Sequence, residues 1–292
     1  MPHYGDPAPA VALVRQLLAQ RTGLALEVII VDDASPILFP STTGVTVVRR
    51  PVNGGFGAAV NTGAAAAEGR LLMVLNSDLT VSDTFVTDWV ERSRAWMPAV
   101  TGPLVVTPDG VQEWTGRRDP SVTQQFVEWL APLARWRHLR VLQWLVGRNP
   151  ACRPGATQVV DWLSGAALLL PADEFRDVGG FDEQFFMFCE ETDLQQRLRR
   201  RGVPAVFLGD VEVSHIGGGS TDPLRRREWL VMARLRQAHL MGKERRLRAA
   251  MLAASAINFA WNLGRSSAGR EVRPFETLRQ ETVLARLCRR GV

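Results

Sequence analysis

The sequence has little of the material from which disulfide-rich domains, zinc modules and membrane spans are built. Its three cysteines, Cys152, Cys189 and Cys288, are odd in number, far apart and without a C-x-x-C pair. This pattern excludes a disulfide framework and a zinc knuckle, and it favours a reducing compartment. No apolar run reaches the roughly 20 residues that a membrane-spanning helix needs, and no leader peptide is recognisable, so we expect neither.

The composition is that of a folded α/β protein. Hydrophobic residues make up 46% and charged residues 22% of the 292 residues, which argues against disorder and collagen-like repeats. The length suits one large domain with a tail, or two modest domains.

Positive charge is concentrated at the C-terminal end. Residues 223–292 contain 16 Arg/Lys and 5 Asp/Glu, whereas residues 1–222 contain 19 and 25. This asymmetry predicts an anionic partner for the tail or a solvated helix face. The tail has no base-reading motif, so we expect no nucleic acid. Residues 249–263 are apolar with basic flanks, which indicates a helix lying on a membrane, a core helix or a homodimer contact.

Strands and helices alternate through the first 220 residues. Apolar β-branched runs predict strands at residues 26–31, 45–48, 71–75, 100–106, 161–170 and 205–215. Helical spacing predicts helices before and between them, including residues 82–96 and 190–201, and the chain after residue 223 also has a helical pattern. Residues 112–157 lack a clear period and predict a mobile loop with a helix in it. This order is typical of an α/β sheet flanked by helices.

Polar residues that could bind a ligand follow several predicted strands. Asp32 and Asp33 end one strand, the segment from Asn76 to Asp78 ends another, and His215 closes the last. Ligands of open α/β sheets bind outside the carboxyl ends of the strands. Carboxylate oxygens suit Mg²⁺ or Mn²⁺, and a neutral imidazole can also bind a metal. Each of these motifs alone also fits an ordinary turn, cap or structural role.

Two further motifs contain residues suited to chemistry. Residues 53–57 form a glycine-rich turn that lacks the spacing of dinucleotide and phosphate-binding loops. Glu190, Glu191 and Asp193 follow an aromatic run at the start of a predicted helix, where the helix dipole favours ionised acids and apolar neighbours oppose it. One of these acids could act as a base. Helix packing and surface acids remain the alternatives.

In chain order, the motifs VDDAS at 31–35, N-x-GFG-x-A-x-N-x-G at 53–63, LNSD at 75–78, GGFDE at 179–183 and EE-x-DL at 190–194 resemble those of family 2 glycosyltransferases. The resemblance covers residues 1–220 and is nearest to the bacterial rhamnosyltransferases. It implies a GT-A fold with a mixed, mostly parallel sheet over residues 1–222 and a basic helical region over residues 223–292.

The resemblance also implies roles for individual residues. Asp78 and His215 would bind the metal, and the general base would be Glu191, where the family has an aspartate. That difference leaves Glu190 and Asp193 open as bases. The residues expected to contact the donor are Asp32, Asp33, Asn53, Gly55, Phe56, Asn61 and Asn76.

The implied reaction is inverting transfer of a sugar from a nucleotide-sugar donor, with dTDP-rhamnose favoured over UDP-hexose, UDP-galactofuranose and UDP-N-acetylhexosamine. The acceptor would be a glycan or a polyprenyl-diphosphate-linked sugar in cell-wall or polysaccharide synthesis. This predicts a cytoplasmic protein at the inner face of the membrane. The family's first strand would precede residues 2–4 (Pro-His-Tyr) and is expected to be missing, through a late start or an incomplete base pocket. A non-catalytic nucleotide-sugar-binding protein is the alternative hypothesis.

Overall fold

The computed structural model describes residues 1–217 and 222–287, so Cys288 lies outside the described residues. The chain folds into two compact units, Met1–Arg118 with Ala151–Ser220, and Asp119–Pro150 with Thr221–Val292. Residues 119–150 therefore join the C-terminal helices. The predicted boundary at residue 222 stays a prediction.

The first unit contains all the strands among the described residues. They are β1 Pro2–His3, β2 Val28–Asp32, β3 Val45–Arg49, β4 Leu71–Leu75, β5 Leu79–Thr80, β6 Val100–Val106, β7 Gly116–Arg117, β8 Thr157–Val160, β9 Trp162–Leu163, β10 Ala167–Pro171 and β11 Ala205–His215.

The helices belong to both units. They are α1 Ala8–Leu18, α2 Phe56–Ala66, α3 Phe85–Ser93, α4 Val122–Trp129, α5 Arg140–Leu145, α6 Ala172–Asp177, α7 Glu190–Arg200, α8 Pro223–Leu240, α9 Glu244–Ser267 and α10 Pro274–Ala285, with 3₁₀ helices at Arg94–Trp96 and Ala131–Trp136. None of the helices in the described ranges is long and apolar enough to cross a membrane.

The sheets of the first unit are mixed. β1, β2 and β3 form a parallel sheet, and a second sheet has the order β4-β10-β6-β11-β5 with β8 also on β11. In the second sheet only β6 and β11 pair in parallel, and the other pairs are antiparallel. The predicted mixed α/β fold is confirmed. Parallel pairs are fewer than expected because β10 runs against both of its neighbours.

Apolar side chains cover both faces of these sheets. On one face α1 and α3 contribute Leu13, Phe85 and Trp89, and on the other α2 and α7 contribute Val60 and Leu198. Burying one such side chain contributes roughly 1.5 to 3 kcal/mol, and the layers together hold the strand ends in place.

Three predictions need correction, two about this unit and one about a region that extends into the second unit. A strand does precede α1, because Pro2 pairs with Val31 in parallel register. The single strand expected at 161–170 is instead divided, since Trp162–Leu163 pairs with β7 whereas Ala167–Pro171 pairs with β4. The region 112–157, expected to be a mobile loop with a helix in it, contains one short strand, two α-helices and a 3₁₀ helix, and β8 begins at its last residue.

A cavity of about 160 Å³ lies between β2, β4 and α2, beside Met1. Its lining is mostly apolar and contains none of the predicted site residues. The amino group of Met1 is buried and donates to the carbonyl of Ile29, and burial lowers its pKa to about 5.

The second unit is helical, as predicted for the tail. Val231, Leu247, Met251 and Leu284 form its core. The buried Asn258 donates to the Trp129 carbonyl at 2.9 Å and accepts from the Ala131 amide at 2.7 Å, so residues 119–150 and α9 share polar as well as apolar contacts.

Candidate active site

Asp32 organises the loop that follows β2. Its carboxylate is 1% exposed and accepts from the Ser35 amide at 2.8 Å, the Phe39 amide at 3.5 Å and the Arg49 guanidinium. Burial alone raises the pKa of Asp32, but the hydrogen bonds from Ser35, Arg49 and Phe39 outweigh it and hold the pKa below its ordinary value. Asp32 is therefore a fixed anion at this strand end.

Asp33 shapes the glycine-rich turn. Its two oxygens accept from the amides of Gly54 at 3.0 Å and Gly55 at 2.8 Å, and Arg50 pairs with it at 2.8 Å. The Asn53 side chain also accepts from the Gly55 amide, at 3.1 Å. The structure thus brings Asp33, Asn53 and Gly55 together, and their contact with a donor stays a prediction.

Gly55 is required by a close approach between two loops. It has a φ of 87°, and a Cβ there would overlap the carbonyl of Phe186. The next amide, of Phe56, donates to that same carbonyl at 3.2 Å. The turn before α2 is in this way attached to the aromatic run that precedes the acidic motif.

Asn61 joins two motifs that lie 120 residues apart. Its amide donates to the Phe181 carbonyl at 2.9 Å and to Glu183 at 3.0 Å, and its oxygen accepts from the Phe181 amide at 2.8 Å. These bonds fix the loop at 179–183. Contact of Asn61 with a nucleotide-sugar donor stays a prediction. The structure shows that Asn61 holds the loop at 179–183 in place by hydrogen bonds.

Asn76, Asp78 and His215 meet at the ends of β4 and β11. His215 Nε2 lies 3.2 Å from Asp78 Oδ1 and 3.4 Å from Asn76 Nδ2. The antiparallel pairing of β5 with β11, in which His215 lies opposite Leu79, brings these residues together. The predicted metal-binding pair is therefore assembled in space.

Glu113 is a part of this site that the sequence interpretation missed. Its carboxylate lies 3.2 Å from His215 Nδ1, on the ring side opposite Asp78. The chain turns back at residues 108–110, and the Glu113 amide donates to the Val105 carbonyl, so Glu113 lies beside the end of β6. His215 ends β11, and β11 pairs with β6, so a chain that turns back after β6 returns towards His215. The Pro-Asp-Gly turn was the sequence signal from which this could have been predicted.

The charges around His215 stabilise one another. Hydrogen bonds to Asp78 and to Glu113 raise the pKa of His215 to about 9, against the effect of burial. Burial raises the pKa of Asp78, but its hydrogen bond with His215 and the charge of His215 bring it below its ordinary value. We name Asp78, His215 and Glu113 the histidine cluster.

The histidine cluster suits a divalent cation that is bound partly by the protein and partly by the phosphates of a bound substrate. Within residues 1–217 and 222–287 no group of three or more His, Cys, Asp or Glu side chains forms a complete protein metal site. Mg²⁺ and similar ions commonly take one or two protein ligands and complete their coordination with phosphates and water. If Glu113 accepts the Nδ1 proton, a cation would replace the proton that His215 holds on Nε2, and Nε2 would then be the metal-binding nitrogen.

The acidic motif begins with strained backbone. Phe188 and Cys189 have φ values of 73° and 65°, which non-glycine residues rarely adopt, and α7 starts immediately afterwards. The change of backbone direction at these two residues places Glu190 and Glu191 in the first turn of α7. Each has one buried carboxylate oxygen without a hydrogen-bond partner. We name Glu190 and Glu191 the acidic pair.

The two members of the acidic pair differ in their surroundings. Burial and the charge of Glu191 raise the pKa of Glu190 well above its ordinary value. Burial also raises the pKa of Glu191, but hydrogen bonds from its own amide and that of Gly165, and the charge of Arg117, act in the opposite direction. Hydrogen bonds from the amides of Glu190 and Phe188 likewise oppose the shift of Glu190, so the two carboxyls differ mainly in the charge of Arg117, which acts on Glu191.

Asp193, the third candidate base, is engaged elsewhere. Its carboxylate accepts from Arg197 Nε at 2.8 Å and pairs with Nη2 at 2.7 Å. The identity of the base stays a prediction, with the acidic pair as its geometrically better candidates.

One short segment connects the acidic pair with the histidine cluster. The Ala166 carbonyl accepts from the Asn76 amide at 2.9 Å, and the amide of the preceding Gly165 binds Glu191. The Phe56 ring also lies against Gly165, where a Cβ would be 3.4 Å from it. Residues 165–166 therefore contact three of the five motifs directly, those that contain Phe56, Asn76 and Glu191. The motif that contains Asp33 is linked to them through the turn before α2.

Comparisons with known proteins identify the family of the chain. The family model "Glycosyl transferase family 2" matches residues 1–152. The chain is 28% identical over 237 residues to the N-acetylglucosaminyl-diphospho-decaprenol L-rhamnosyltransferase of Mycobacterium tuberculosis, which covers 74% of this chain and 75% of that protein. A 57-residue stretch is 47% identical to rhamnosyltransferase WbbL of Escherichia coli, covering 20% of this chain and 22% of WbbL.

Among solved structures, the mannosyltransferase PcManGT from Pyrobaculum calidifontis, in complex with GDP-Man and Mn²⁺, aligns with a TM-score of 0.53 at 16% identity. The alignment covers 97% of this chain and 84% of that one, and it supports the fold alone. The fold is that of a glycosyltransferase of the GT-A type. The chain belongs to glycosyl transferase family 2.

Proposed function

We propose that this enzyme transfers L-rhamnose from dTDP-rhamnose, with inversion, to a hydroxyl of a polyprenyl-diphosphate-linked glycan in cell-wall or polysaccharide synthesis. The contact between Asp78 and His215 at the ends of β4 and β11 is the observation that carries the proposal of a metal-assisted transferase. The choice of sugar and acceptor rests on the name of the mycobacterial relative.

Asp78 and His215 would hold Mg²⁺ or Mn²⁺, with Asn76 as a helper and Glu113 orienting the imidazole. The bound cation would neutralise charge that develops on the departing diphosphate. Asp32 and Asp33, with the turn that contains Asn53 and Gly55, would receive the nucleoside of the donor. Phe56 and Asn61 would support this pocket through their contacts with the Phe181 loop.

Glu191 would act as the general base. Its carboxylate would take the proton from the acceptor hydroxyl as that oxygen attacks the anomeric carbon, and one displacement inverts the configuration. A base works best when its pKa lies near the working pH, and burial moves the pKa of Glu191 in that direction.

A donor screen tests this function. Unfolding temperature is measured with dTDP-rhamnose, UDP-glucose, UDP-galactofuranose and UDP-N-acetylglucosamine, each with Mn²⁺ and with a chelator. A donor present at 100 times its Kd stabilises a protein by about 2.7 kcal/mol, so we expect the largest shift for dTDP-rhamnose with Mn²⁺.

Transfer to a synthetic polyprenyl-diphosphate N-acetylglucosamine, with the product's anomeric configuration read by NMR, completes the test. A shift with a UDP-sugar alone would overturn the choice of rhamnose. Binding without any transfer would favour a non-catalytic nucleotide-sugar-binding protein.

A further inference from the structure

Residues 131–145, in the second unit, combine exposed apolar side chains with positive charge. The segment contains Arg135, Arg137 and Arg140 and no acidic residue. Trp136, Leu139, Val141 and Trp144 are all exposed. Large exposed apolar groups in one short segment usually mark a site of interaction.

The polarity of α5 in this segment is reversed. Val141 and Trp144 are 70% and 51% exposed, whereas Gln143 between them is only 8% exposed. The Gln143 side chain is engaged inside the unit, with the Arg137 carbonyl and with Arg148 at 2.6 Å. A helix that faced only water would turn its polar residue outward.

Helix α9, which packs against α4 and the 3₁₀ helix Ala131–Trp136, has the same reversal. Asn258 and Asn262 are buried, whereas Ile257 and Trp261 are exposed. Asn258 is held by Trp129, Ala131 and Glu281, so its inward position is fixed by hydrogen bonds.

Arg135, in the 3₁₀ helix Ala131–Trp136, lies between Trp136 of the same helix and Trp261 of α9. Its guanidinium is 4.1 Å from the centre of the Trp136 ring and 5.8 Å from that of Trp261. We name the set Trp136, Leu139, Val141, Trp144, Ile257 and Trp261, with its arginines, the aromatic-arginine surface.

We propose that the aromatic-arginine surface docks this enzyme on an anionic lipid bilayer. Tryptophan, leucine and valine side chains would enter the interface, while the arginines meet lipid phosphates. Positive charge without a nearby acid in residues 131–145 favours an acidic membrane over a neutral apolar partner. The proposal goes beyond the transferase function, since vesicle binding requires neither donor nor turnover.

Point variants of the full chain test the surface. Deleting the tail is less informative, because α9 packs against residues 119–150 and its loss would expose their core. Vesicles of equal parts phosphatidylcholine and phosphatidylglycerol are sedimented with the wild type, with Leu139→Ser/Val141→Ser and with Arg140→Gln. We expect binding to weaken about fivefold for each lost arginine and at least as much for the apolar pair.

Matched controls make the same chemical changes in the first unit. Leu18→Ser/Val159→Ser removes two exposed apolar side chains, and Arg94→Gln removes one exposed charge. These variants should bind as the wild type does. Equal weakening by variants and controls, or equal binding to vesicles of phosphatidylcholine alone, would overturn the proposal. Donor-induced thermal shifts of the same variants, expected to be unchanged, separate its failure from that of the transferase function.

Discussion

The histidine cluster and the acidic pair handle buried charge in opposite ways. In the cluster, one imidazole lies between two carboxylates, and each group favours the charged form of its neighbour. In the acidic pair, two like groups are buried side by side, and each resists ionisation. The carboxylates of the first arrangement would also stabilise a metal cation that replaces the Nε2 proton of His215, and the second arrangement suits a group that accepts a proton. The comparison therefore divides the proposed site into the histidine cluster, which would bind the cation, and the acidic pair, which would accept the proton.

Replacing Glu191 by glutamine should have the largest effect. The amide keeps the shape of the side chain but cannot take a proton, so we expect kcat to fall by about 10² to 10⁴. Donor affinity, read by thermal shift, should be retained. Asp193→Asn is the matched control at a carboxylate that Arg197 already engages. Normal turnover by Glu191→Gln with an inactive Asp193→Asn would show that the base is misassigned.

Changing Asp78 to asparagine should weaken metal binding at the histidine cluster. Loss of the carboxylate removes one anionic ligand, and we expect Mn²⁺ affinity to fall by about 100-fold, measured by titration calorimetry with the nucleotide present. Asp109→Asn removes an exposed carboxylate in a turn of the same unit and should leave Mn²⁺ binding unchanged. Equal Mn²⁺ affinity in the two variants would contradict the metal role of Asp78.

Glu113→Gln should have a smaller effect, because Glu113 acts through His215. The variant retains an acceptor for Nδ1 but loses the negative charge, and we expect Mn²⁺ affinity to fall by about 10-fold. Glu91→Gln, on the exposed face of α3, is the control for an identical change of net charge. An unchanged affinity in Glu113→Gln would mean that His215 is positioned without it.

The sequence predicted those parts of the site that lie in local motifs. The strand ends at Asp32 and Asp78 and the start of α7 could be located because hydrophobic runs stop there. Glu113 could not, since its place depends on a turn and on the pairing of β6 with β11. Asn61 was assigned to the donor because sequence alone does not distinguish a ligand contact from a clamp on a distant loop. The division of residues 157–171 into three strands likewise depends on which neighbours they pair with.

Glu190→Gln should have the smallest effect, a change in the free energy of unfolding. Its dependence on pH tests whether the two carboxyls of the acidic pair resist ionisation. The pKa of Glu190 is raised in the folded chain, so the folded chain binds a proton more tightly than the unfolded chain does. The free energy of unfolding therefore falls as pH rises above the unfolded pKa of about 4.3, until the folded pKa is passed. Glutamine cannot ionise, so Glu190→Gln should be more stable than the wild type near neutral pH, by about 1 kcal/mol.

The difference should vanish at pH values below the unfolded pKa, where both carboxyls of the wild type are protonated. Urea unfolding of both proteins across this pH range measures it, with Glu68→Gln as the control at an exposed carboxylate. A stability difference that does not change with pH would indicate that packing, and not the shared burial of two like charges, governs this part of the site. In that case the contrast between the acidic pair and the histidine cluster would rest on the histidine cluster alone.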